Sequence, residues 1–252
     1  YLRQVAKSAK CDAPILARVG AICRRVANRL GEGGDWQDDS AWQTEWLRAK
    51  TGPTWPGRLG DKVVFVSSSQ LVVRDNEHRA ALFEGKVALW PFAELDDFAI
   101  EYLDVGRLSE ATRSCTTRGG GLLDTTATTW VAGIWHFVIA FLQSRAWQPQ
   151  ARLESTDLAT VSPAVNRVDA ITAHYKILAV EVVDPEPADA FFDTAHGRLW
   201  LRQDLGGRAE IAEAIGNELA QVFGPDALSE FVRDALEKDR PALLKKWSKK
   251  GL

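Results

Sequence analysis

The sequence has 252 residues, 46% hydrophobic and 26% charged, a globular composition that excludes a disordered chain. Its net charge of −3 gives no bulk electrostatic reason to bind nucleic acid or an anionic membrane. The three cysteines, Cys11, Cys23 and Cys115, are odd in number and match no zinc spacing. A reducing, cytoplasmic compartment is the simplest expectation.

The first fifty residues read as helices. Asp12 can cap a helix whose first turn holds Pro14, and Ile15, Val19, Ile22, Cys23, Val26 and Leu30 recur at helical spacing. Gly31 stops it. Ser40 can cap a third helix carrying Trp42, Trp46 and Leu47. The chain contains no methionine and opens within a helical pattern, which suggests a piece of a longer protein.

The period then changes. Pro53, Pro56, Gly57 and Gly60 mark turns. Lys62–Val66 and Gln70–Arg74 are short and β-branched, so strands are expected, with Ser67, Ser68 and Ser69 turning the chain between them. A short helix begins at Asp75-Asn76 and runs through Phe83, Lys86–Trp90 reads as a strand, and Glu94–Leu103 as a helix. Ser109 can cap a further short helix.

Arg118-Gly119-Gly120-Gly121 reads as a flexible connector. A phosphate loop needs Lys-Ser or Lys-Thr after its last glycine, and here Leu122-Leu123 follows. A long helix is expected over Thr125–Ala146, ended by Pro149. Its apolar run, Trp130 to Leu142, falls short of the ~20 residues that span a bilayer, so it reads as a core helix, and no membrane partner is expected. Strands are expected at Leu158–Val161, Ala170–Leu178, Val180–Val183, Ala190–Phe192 and Arg198–Arg202, the last two flanking a hairpin loop at Asp193 to Gly197. Three helices close the chain: Ala209–Phe223, Ala227–Glu237 and Pro241–Lys249, with Asp226 and Asp239 as caps. The expected class is therefore α+β, mostly helical with short mixed strands. It has a β-rich stretch near 155–202 and a C-terminal three-helix segment. Two modules are expected, residues 1–146 (helical and α/β) and 147–252 (strand-rich, then helical).

No residue set completes a catalytic, cofactor-binding or metal site. Glu213 and Asn217 have the spacing of a magnesium-ATP pair, but the glycine-rich motifs such a site needs do not follow them. The helix's apolar face runs through Ile211, Ile215, Leu219 and Val222, which leaves Glu213 and Asn217 facing solvent. His78, His136, His174 and His196 lack partners at metal-ligand spacing. Asp38-Asp39 and Asp96-Asp97 are neighbours in sequence, which on a helix point in different directions.

Taken together, several stretches resemble a known family. Trp55-Pro56-Gly57-Arg58 leads into KVVFV, QLVVRDNEHRAALF, ALWPF and DDFAIEYLDVGRLSEAT. Leu199-Trp200-Leu201, the Phe231–Leu236 segment and Trp247–Leu252 follow in order. This order is similar to the region downstream of the histidine-kinase-type ATP-binding domain in sacsin-like and NO VEIN-like proteins. The element Tyr102–Ser109 departs from that pattern at Asp104, where the family has glycine. The resemblance implies a non-catalytic middle or C-terminal segment of a large ATP-driven chaperone-like protein, or of a bacterial anti-phage defence protein. Such a segment acts as a structural relay or a surface for a protein partner or other domains of the same polypeptide. ATP and magnesium would be held only by a domain outside this chain. The alternative is a nucleic-acid-binding or nuclease-associated module of a bacterial defence protein, suggested by Arg113, Arg118, Arg145 and Trp147.

Overall fold

The computed structural model describes Arg18, Ala21, Arg25, residues 55–91, Ile100, Glu101, residues 103–143, 163–223, 226–238 and 240–248. Arg18, Ala21 and Arg25 are helical. The remaining N-terminal helix expectations, the strand at Leu158–Val161, Asp239 and both aspartate pairs lie outside the described residues. The fold is α+β. The chain forms two compact units: Tyr1–Thr112 with Tyr175–Val182, and Arg113–His174 with Val183–Leu252.

In the first unit, β1 (Trp55–Leu59) and β2 (Lys62–Val66) pair antiparallel, Trp55 opposite Val66 and Leu59 opposite Lys62. The turn expected at Pro56-Gly57 is thus a strand. Gly57 is there for space: a Cβ would lie 2.8 Å from Leu71 Cδ2 and 2.9 Å from the Ala88 Cβ. The expected serine turn is a 3-10 turn at Ser68–Gln70, with Ser67 at its N-cap. It leads to β3 (Leu71–Val73), then α1 (Glu77–Phe83), β4 (Ala88–Leu89) and β5 (Gly106–Arg107). The Asn76 side chain accepts the Arg79 amide at 2.9 Å, an N-cap that contributes ~1 kcal/mol. The sheet order is β2-β1-β4-β3-β5, with β3 parallel to both neighbours.

Ser109 does not cap an α-helix. It sits inside a 3-10 turn, Leu108–Glu110, because Asp75 holds its amide at 2.9 Å and buried Arg79 reaches the Leu108 carbonyl at 2.9 Å. The Arg79 guanidinium also lies 5.3 Å from the Tyr175 ring centre. Just upstream, Asp104 has φ +57, the left-handed region that favours glycine and that aspartate tolerates at a cost.

The second unit begins with β6 (Thr112–Arg118), β7 (Leu122–Leu123) and α2 (Thr125–Gln143). Then come β8 (Ala164–Val168), β9 (Ala170–Ile177), β10 (Val180–Val183), β11 (Ala190–Asp193) and β12 (Arg198–Arg202). The chain leaves this unit within β9 and returns within β10. α3 (Arg208–Phe223), α4 (Asp226–Glu237) and α5 (Arg240–Trp247) complete it. One sheet has the order β11-β12-β8-β7, with β12 and β8 parallel and the outer pairs antiparallel.

β6 and β8 were not anticipated. The inward positions of β6 include Arg113 and Cys115, and β8 carries Asn166 and Arg167, so neither shows an apolar alternation. Val165, Phe192, Leu199 and Leu201 share a core with Val131, Trp135, Val138 and Phe141 of α2. Ile215, Leu219, Phe231 and Trp247 belong to the same core. Over Thr125–Leu142, α2 is long and apolar enough by length and composition to cross a membrane; here its apolar side is packed in this core. α3 and α4 approach closely at Gly216, where a Cβ would lie 2.8 Å from the Ser229 carbonyl oxygen.

Candidate interaction surface

Two buried carboxylates, Glu218 and Asp234, and the half-buried Asp124 organise the second unit. Glu218 is 4% exposed: Oε2 accepts from Arg113 Nη2 at 2.9 Å and Oε1 accepts the Phe192 amide at 2.7 Å. It thereby satisfies a backbone donor on the edge strand β11, which would otherwise be open to a further strand. The Arg113 guanidinium lies 4.8 Å from the Phe191 ring centre.

Asp234 accepts from Trp247 Nε1 at 3.0 Å, from Lys246 at 2.5 Å and from Lys238. Burial opposes its charge, but these hydrogen bonds outweigh burial and hold its carboxyl below the usual carboxylate range. Trp247 stacks edge-on against Phe231 and Phe141, so Asp234 fixes α5 at both its polar and aromatic contacts.

Asp124 caps α2 by accepting the Ala127 amide at 2.8 Å, and pairs with Arg167 Nε at 2.9 Å. Burial opposes this charge too; the Ala127 amide and Arg167 outweigh it and lower the pKa. Arg167 continues to the carbonyls of Arg202 (2.9 Å) and Leu205 (2.8 Å). The Asp124 amide donates to the Val165 carbonyl at 2.9 Å, and Asn166 Nδ2 donates to Gly121 O at 3.0 Å. The junction from β7 into α2 is therefore tied to β8 on both sides of the two leucines.

Those leucines are exposed nonetheless, Leu122 at 71% and Leu123 at 56%. They form the edge of their sheet, pairing only with β8 among the described residues. The helix that follows carries no charged residue from Thr125 to Gln143. Its outward positions include Thr126, Thr129, Ala132, Gly133, His136 and Ala140, all exposed, and a Cβ on Gly133 would meet nothing within 4 Å. Solvent-facing helix surfaces of globular proteins are ordinarily charged or strongly polar. Two exposed leucines at a sheet edge are thus followed directly in the chain by a helix whose outer face is uncharged.

The residues singled out from sequence fall elsewhere. Glu213 and Asn217 are exposed on α3, as expected, and Asn217 Oδ1 accepts from Ser229 Oγ at 2.6 Å. The glycine connector joins β6 to β7 through positive φ at Gly119 (+98) and Gly121 (+57). Asp169 closes over Gly119, its Oδ2 2.7 Å from where a Cβ would stand. His174 Nε2 lies 3.1 Å from Thr116 Oγ1, and His196 Nδ1 lies 2.8 Å from Asp193 within the hairpin loop. His136 is exposed on α2 and stacks beside Phe137 at 3.9 Å between ring centres. Burial, then Asp193 and Glu218, push the Cys115 thiol up to about 11, so it is a protonated thiol at neutral pH and a poor nucleophile. Among the described residues, no group of three or more His, Cys, Asp or Glu side chains could hold a metal ion. Of the suggested nucleic-acid contacts, Arg113 is committed to Glu218, Arg118 is exposed, and Arg145 and Trp147 lie outside the described residues.

Glu218 and Asp234 were missed in sequence, although a signal was present. Glu218 lies seven residues after Ile211 and three after Ile215, on the apolar stripe of α3 itself. Asp234 stands three residues after Phe231 on the buried side of α4.

No known family model, curated protein or solved structure matches this chain.

Proposed function

We propose that this chain is a non-catalytic interaction and relay segment of a larger, ATP-driven protein of the sacsin-like or NO VEIN-like kind, chaperone-like or serving bacterial defence. It docks a protein partner or a neighbouring domain of its own polypeptide. The observation that carries this reading is the exposed Leu122–Leu123 edge, followed directly in the chain by α2 with its uncharged outer face and held in place by the Asp124–Arg167 tie. A supporting feature is that the buried carboxylates Glu218 and Asp234 are engaged with basic side chains, a backbone amide and an indole, in bonds that fix strands and helices. Nucleotide chemistry then belongs to a domain outside this chain. Isothermal titration of the 252-residue chain with magnesium-ATP is expected to show no heat of binding. Saturable binding in the micromolar range would place the ATP site here and end the proposal.

A further inference from the structure

We draw no further inference here: the strongest candidate, the exposed Leu122–Leu123 edge with the uncharged outer face of α2, already carries the proposed function, and nothing in the structure shows what covers it.

Discussion

Replacing Glu218 by alanine removes both acceptors at once. The Arg113 guanidinium and the Phe192 amide are then left in a site where the two charged side chains are only 12% and 4% exposed. Breaking a buried pair from one side costs ~3–5 kcal/mol, most of it the uncompensated charge. That is a large share of the roughly 5–15 kcal/mol by which a domain is stable. Glu218→Gln keeps an oxygen for the Phe192 amide but turns an NH2 donor toward the Arg113 guanidinium, so the cation is still stranded and ~3–5 kcal/mol is again expected. Adding Arg113→Met to Glu218→Gln removes the orphaned cation. That double variant is expected within ~1 kcal/mol of the parent, since a buried ion pair contributes little net stability over neutral replacements. Urea unfolding followed by far-ultraviolet circular dichroism gives all three values from the midpoints at constant slope. A loss below ~1 kcal/mol for Glu218→Ala would refute the reasoning. So would a double variant as unstable as the alanine variant, because the cost would then not come from the stranded charge.

Asp234 makes stability depend on pH. Its folded carboxyl lies below the unfolded value of about 3.9, so its contribution is complete above that value and is lost as pH falls through the folded pKa. Urea midpoints taken from pH 7 down to pH 3 are expected to fall more steeply for the parent than for Asp234→Asn; equal slopes would show that Asp234 is not held low. Asp104→Gly is expected to stabilise the first unit by about 1 kcal/mol, the order of the left-handed penalty, read as a raised melting temperature. Gly216→Ala places a methyl 2.8 Å from the Ser229 carbonyl oxygen. It is expected to cost ~1–3 kcal/mol in the same melts. Cys115 with a thiol near 11 should react with iodoacetamide at pH 8 about two hundredfold more slowly in the folded chain than in urea, followed on its own peptide by mass spectrometry. Equal rates would place the thiol in ordinary solvent.

The sequence made local elements legible wherever side-chain period and burial agree. Lys62–Val66, α1 with its Asn76 cap, α2, the Asp193–Gly197 hairpin and the three closing helices were all readable in this way. β6 and β8 were opaque because polar groups satisfied by distant partners interrupt their apolar positions: Arg113 in β6 by Glu218, and Arg167 in β8, between buried Val165 and Val168, by Asp124. Pairing across 105 and 43 residues leaves no local pattern. Pro56-Gly57 misled for a related reason. Its glycine answers to crowding by Leu71 and Ala88, which are neighbours in the sheet and not in sequence. The candidate surface was half legible. The apolar run of α2 was plain, but that Leu122 and Leu123 would be held at an open edge depends on Asp124, Asn166 and Arg167 converging on one junction.

Hydrogen–deuterium exchange over residues 122–143 tests the interaction role most directly. It should be measured in the isolated chain and in the full-length gene product, with and without magnesium-ATP. Backbone amides there are expected to be more protected in the full-length protein and to change again when nucleotide binds. Identical exchange in the isolated chain and in both states of the full-length protein would contradict a docking and relay role for this surface.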